Sequence, residues 1–136
     1  MNMTGKRFQV LVQEAFNPFL IELGFTPEKP QLSGRYYRVK FIGDSHTLIV
    51  SLEPADAFFS IMLVRNDNYD LSTIDDPKKT PRLSDLNRMY MSEVTPDERA
   101  TNESFFSAIK VEGQKERELL KCAKDLRLVL PRYLKG

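Results

Sequence analysis

Asp44-Ser45-His46 brings the three residue types of a hydrolytic triad into one tripeptide. Adjacent residues in a strand or turn point in different directions, however, and a triad is assembled in space from separate elements. No G-x-S-x-G elbow accompanies them, so the tripeptide reads as a turn carrying a surface histidine. His46 is the only histidine and Cys122 the only cysteine, which excludes zinc sites built on two imidazoles and the usual structural thiolate sets. Asn66, Asn68 and Asp70 stand at the first three ligand positions of an EF-hand loop, but Leu71 replaces its glycine and Pro77 its bidentate glutamate. Asp75-Asp76 and the pair Glu53 and Asp56 offer carboxylates for acid–base work, yet acidic pairs on loops are ordinarily solvated. Neither G-x-x-x-x-G-K nor G-x-G-x-x-G occurs, so phosphate-cradling loops are absent. The residues predict no catalytic set, no metal and no cofactor.

Two features of the C-terminal segment bear on reactivity and partners. Cys122 lies between Leu119 and Leu126, beside Lys121 and Lys124; nearby ammonium groups lower a thiol's pKa, but the position reads as a half-buried packing residue. Lys110, Lys115, Arg117, Lys121, Lys124 and Arg127 form a basic series interrupted by Glu112, Glu116, Glu118 and Asp125. Pairs such as Glu118 with Lys121 have helical spacing, so the series reads as a solvated face and not as a nucleic-acid stripe.

The elements that must hold these residues belong to one domain spanning the 136 residues. An apolar fraction of 41 % and a charged fraction of 29 % are those of a globular chain, and a net charge of +1 gives no reason to expect nucleic acid or a membrane surface. No apolar run approaches the roughly 20 residues of a membrane helix, and the N-terminus enters an amphipathic pattern in place of a signal peptide's apolar stretch. With one cysteine, a reducing compartment is the simplest setting, and cytoplasmic the expectation. The charge is uneven: six Lys/Arg against three Asp/Glu in residues 1–43, six against twelve in 44–109, and eight against four in 110–136.

Thr4 is a plausible N-cap for a helix in which Phe8, Leu11, Val12, Ala15, Phe16, Phe19, Leu20 and Leu23 recur at helical spacing. Pro18 predicts a kink or break near Asn17, and Gly24 a positive-φ terminus with Phe25 packing back. Residues 26–34 read as an extended connector. Three alternating runs follow. They place Tyr37, Val39 and Phe41, then Leu48, Val50 and Leu52, then Phe59, Ile61 and Leu63 on one face of an antiparallel meander. Residues 66–81 read as a long loop, and Leu83, Leu86, Met89 and Tyr90 as a short helix. Thr95-Pro96-Asp97-Glu98 starts another. A further helical pattern is interrupted at Gly113 and Glu116: either the helix breaks at Gly113 or another backbone approaches closely there. Pro131 is expected to end it. The fold class is therefore α+β: two layers, with an N-terminal amphipathic helix, a three-stranded antiparallel meander, and C-terminal helices packed on one sheet face.

The second sheet face is less polar than solvent alone would favour. Tyr36, Arg38, Ile49, Phe58, Met62 and Val64 project there among Lys40, Thr47 and Ser51. Its cover is the helix around Leu86 to Tyr90, a second copy of the chain, or another protein. Glu22-Leu23-Gly24-Phe25 closing the first helix, Arg35-Tyr36-Tyr37 opening the meander, and the closing helix resemble small bacterial immunity proteins and related single-domain α+β families. The resemblance lies in the order of elements and carries no functional residue over. The preferred expectation is a cytoplasmic protein-interaction module, in the manner of an immunity protein, whose acidic residues between Asp67 and Glu103 meet a basic partner surface. The expected contact residues are Tyr36, Arg38, Phe58, Met62, Asp67, Asp70, Asp75 and Asp76. The alternatives are a small enzyme or ligand-binding domain with a pocket edged by Tyr37, His46 or Glu53, and a structural homodimer or larger homo-oligomer.

Overall fold

Strict alternation over three successive runs forces the sheet. The computed structural model describes residues 3–54, 58–68 and 80–135. Its long strands are β3 (Tyr37–Ile42), β4 (His46–Glu53) and β5 (Phe58–Arg65), paired antiparallel. Their register sets Tyr37 against Leu52 against Phe59, Val39 against Val50 against Ile61, and Phe41 against Leu48 against Leu63. Three apolar rows thus cross the inner face. All nine side chains join or pack against one core cluster; Phe59 and Tyr37 at its border are half-buried.

The connector after the first helices contributes two short strands that alternation could not announce. β1 (Thr26–Pro27) and β2 (Gln31–Leu32) both pair with β3, so the described sheet has five strands. Proline is tolerated at such an edge because no ladder bond is asked of its missing N–H. At the opposite edge Leu63 N donates to the Pro81 carbonyl at 2.9 Å, and Arg82 bridges Met62, which covers part of a strand that would otherwise offer unpaired backbone.

α1 (Gly5–Ala15) is capped by Thr4, whose hydroxyl accepts from Arg7 N at 3.1 Å. α1 stops at Phe16, and Pro18 falls in the first turn of α2 (Asn17–Glu22), where its missing N–H costs nothing. The break predicted near Asn17 is therefore present. Gly24, at φ 95°, ends the run, and Phe25 N folds back onto the Leu20 carbonyl at 2.9 Å.

Three helices complete the layer: α3 (Leu83–Tyr90), α4 (Pro96–Phe105) and α5 (Gly113–Lys135). Leu83 and Leu86 enter the core cluster, so α3 lies on the inner side of the sheet and does not cover the second face. Met89 is 47 % exposed and takes no part in that packing. α4 opens with a capping box in which Thr95 and Glu98 satisfy each other's backbone N–H groups. Gly113, at φ 77°, breaks the helical pattern between α4 and α5. Glu116 faces inward to Arg7, whose Nη2 lies 2.8 Å from it and 2.9 Å from the Lys110 carbonyl. An acid in the apolar stripe is thus the anchor between the starts of α1 and α5.

α5 does not end at Pro131, contrary to the sequence expectation; it continues to Lys135. The proline removes one hydrogen bond, to the Arg127 carbonyl. Val129 and Leu130 are fully buried, and Tyr133 and Leu134 pack against the core beyond it, and that packing holds the last turn. Between α4 and α5, Asn102 is 2 % exposed. It donates to the Lys124 carbonyl at 3.0 Å and accepts from Arg127 Nη1 at 2.8 Å.

Phe41 is fully buried, whereas Phe59 lies at the border with Lys115 5.7 Å above its ring. Phe41→Ala is expected to cost about 3–5 kcal/mol in a urea titration, as buried aromatic truncations do, and Phe59→Ala distinctly less. Equal losses would contradict this register.

Candidate functional site

The predicted contact residues do not form one surface among the described residues. Arg38, Ser51 and Ser60 form one row of the outer sheet face; Lys40, Ile49 and Met62 form the next. Tyr36 precedes β3 and lies under the Arg38 guanidinium, whose carbon is 4.7 Å from the ring centroid. Phe58 is placed by register opposite Glu53. Asp67 is exposed and pairs with Arg65 at 3.1 Å. Asp70, Asp75 and Asp76 lie outside the described residues.

Ile49 and Val64 are buried, yet among the described residues they are the two buried apolar side chains that do not join the core cluster. Every buried apolar residue of the described helices joins it. These two outer-face side chains therefore pack apart from the helical core. Arg38 is half-buried there, its Nε buried and, among the described residues, without a hydrogen-bond acceptor.

A different group of residues meets at one end of the sheet. His46 opens β4 and stands directly opposite Arg65, the last residue of β5. Both share the parity of the inner face, and α5 reaches them: the Tyr133 ring stands edge-on to His46, centroids 5.8 Å apart. With Tyr90 from the end of α3 and with Leu134, they line a cleft of about 500 Å³. Burial and the Arg65 charge hold the His46 imidazole below its ordinary pKa, while burial raises the Tyr133 phenol. The neutral ring is therefore the native form, and its contribution to stability is complete above the ordinary imidazole range and declines as pH falls through it.

The triad reading fails on geometry. Ser45 Oγ lies 2.7 Å from His46 Nδ1, the ring nitrogen on which a triad's carboxylate would stand, and not on Nε2. Asn66 is no cation ligand either. Its Oδ1 accepts from Thr47 Oγ1 at 2.6 Å and its Nδ2 donates to the Gly43 carbonyl at 2.8 Å, tying β5's exit to the β3–β4 turn. Among the described residues, no three His, Cys, Asp or Glu gather as a metal site would require. Tyr37 and Glu53 sit at the opposite end of the strands from His46: Tyr37 packs on Phe8 at 5.8 Å, and Glu53 is exposed. Of the three residues expected to edge a pocket, His46 alone lies at this end of the sheet. Arg65, Tyr90 and Tyr133 escaped the sequence reading because four separate elements deliver the cleft. The available signal was His46's parity with Leu48, Val50 and Leu52.

A larger depression of about 720 Å³ lies where α2, α4 and α5 meet, with Phe19 and Leu128 among its walls. Three of its charged groups are already engaged: Arg132 Nη2 is 2.8 Å from Glu98, and Arg127 bonds Asn102 while lying 3.9 Å over the Phe105 ring. The basic series of α5 is likewise paired in part, through Lys115–Glu118, Lys121–Asp125 and Lys124–Glu103, each at 2.8 Å. No described helix is long and apolar enough to cross a membrane. Compared with protein families, with curated proteins and with solved structures, the chain matches none.

Cys122 is half-buried against the core, and burial pushes its thiol up to about 11. With the thiol raised from an ordinary 9.0 to about 11, the folded chain should be alkylated at pH 8 roughly a hundredfold more slowly than in denaturant, since only thiolate reacts. Iodoacetamide kinetics check this; equal rates would show that the thiol is freely exposed.

Proposed function

We propose that the chain is a protein-interaction module whose contact surface is the outer face of β3–β5, centred on Arg38 and Tyr36. The observation that carries this reading is the state of Arg38: half-buried, stacked on Tyr36, and without an acceptor for Nε. Burying Nε without an acceptor is unfavourable, and a partner carboxylate on the accessible edge of the same guanidinium offsets that cost with charge-assisted bonds. Arg, Tyr and Met are also the types over-represented where binding energy concentrates. Small Ser51 and Ser60 in the same row leave the face low enough for a partner side chain to approach.

The immunity-type form of this reading, with a basic partner, rests on Asp70, Asp75 and Asp76 outside the described residues. The described face offers cations, Arg38 and Lys40, and suits an acidic, partly apolar partner segment. A single half-buried thiol fits a reducing, cytoplasmic setting.

The test is photo-cross-linking from a reactive residue at position 40, followed by affinity measurement with the partner so identified. Arg38→Ala is expected to weaken binding by about tenfold or more, with Arg38→Lys failing to restore it, because an ammonium reproduces neither the stacking nor the fork geometry. Glu14→Ala, an exposed change on α1, should leave affinity unchanged. Equal affinity for the native chain and Arg38→Ala would refute the assignment, and a cross-link only to a second copy would replace it with self-association.

A further inference from the structure

We propose that the cleft at the end of the sheet, between His46, Arg65, Tyr90 and Tyr133, is a binding site for a small aromatic carboxylate. Its construction argues for a site. Four elements deliver these side chains: the first residue of β4, the last of β5, the last of α3, and the last turn of α5. The volume, about 500 Å³, falls within the usual range for small-ligand sites.

The chemistry of the walls selects the ligand. Arg65 and His46 are cross-strand partners, so a carboxylate bound by the planar guanidinium lies beside the imidazole. Ser45 occupies Nδ1, which leaves Nε2 as the ring nitrogen to face a ligand. Tyr90, Tyr133 and Leu134 add aromatic and aliphatic surface on the other side, suited to a flat ring.

The local field agrees. The groups facing His46 are Arg65 on β5, Asp67 just beyond it, Tyr133 on α5, and Tyr90 and Asp44 around the cleft. Of the charges acting on the imidazole, Arg65 outweighs Asp67, and Arg65 also acts on Tyr133. Asp67 is the resident competitor for the guanidinium. Their pair spans 3.1 Å with the side chains 57 % and 70 % exposed, and ion pairs in that setting are weak. An incoming carboxylate with a ring to bury therefore displaces Asp67.

Because His46 is the only histidine, its ring proton resonances report on the cleft without assignment ambiguity. The experiment titrates the full chain with benzoate, with neutral benzamide, and with ringless acetate, following those resonances. Benzoate should give a saturable shift, with benzamide and acetate each weaker by about tenfold or more, since one lacks the charge-assisted bonds and the other the aromatic contact. Bound benzoate should raise the His46 pKa and bind more tightly at pH 6 than at pH 8. Arg65→Gln should abolish the preference for benzoate over benzamide, and Asp67→Asn should strengthen benzoate. Both positions are exposed, and an unchanged amide spectrum elsewhere establishes that each variant folds. No saturable shift at His46, equal binding of benzoate and benzamide, or an Arg65→Gln chain that still discriminates would each overturn the proposal.

Discussion

Everything in this fold depends on the register of β3, β4 and β5. Side chains alternate strictly along a strand, so a slip of one residue would turn each apolar row out of the core and replace it with Arg38, Lys40, Ser51 and Ser60. In the observed register, Val39, Val50 and Ile61 form the middle row and Phe41, Leu48 and Leu63 its neighbour. The helices pack on a surface already fixed in shape by those rows. Asn66 pins the register from outside the ladder: its side chain bonds both Thr47 and the Gly43 carbonyl, so the β3–β4 turn and the end of β5 move together.

The helical layer is joined at buried or half-buried polar points that the apolar pattern alone would not choose. Asn102 is buried between α4 and α5 with both ends of its amide satisfied, and Glu116 is held below the ordinary carboxylate range chiefly by its bond to Arg7. A satisfied polar group in such a place contributes little net stability but makes alternative packings expensive, because sliding the helix would leave it unpaired. Apolar contacts draw α4 and α5 together, and these bonds fix how far along each other they sit.

This division explains what could be read from the sequence. Local signals with local consequences were legible: the alternation of three strands, the Pro18 break, the Gly24 terminus, and the helix start at Thr95-Pro96; at Gly113 the pattern left a break and a close backbone approach equally open. Signals that depend on distant partners were not. Thr26-Pro27 and Gln31-Leu32 are strands only because the edge of β3 receives them. Glu116 reads as a gap in an apolar stripe until Arg7 is seen beside it. Pro131 carries the ordinary mark of a helix end, and the packing of the residues that follow overrides it. Of the expected contact residues, Tyr36, Arg38 and Met62 do share the outer face. Asp67 belongs instead to the strand-end cleft, of which only His46's parity with Leu48 gave a sign.

That cleft is a consequence of length. Phe59 to Arg65 along β5 covers about 20 Å at a strand's rise, whereas Lys115 to Tyr133 along α5 covers about 27 Å at a helix's rise. Lys115 lies over Phe59 and Tyr133 over His46, so the helix bridges the two ends of the sheet, and its last turn reaches the mouth of the cleft. Had α5 stopped at Pro131, Tyr133 and Leu134 would leave the helical path that puts them there. One lost hydrogen bond at the proline is the cost of carrying an aromatic wall to that end of the sheet. The same arrangement separates the molecule's two surfaces. The cleft lies on the helical side, where Arg65 and His46 share the inner parity, and Arg38 lies on the opposite face. A partner seated on Tyr36 and Arg38 would approach the sheet from the side away from Tyr133, so occupation of one surface does not by geometry require or block the other.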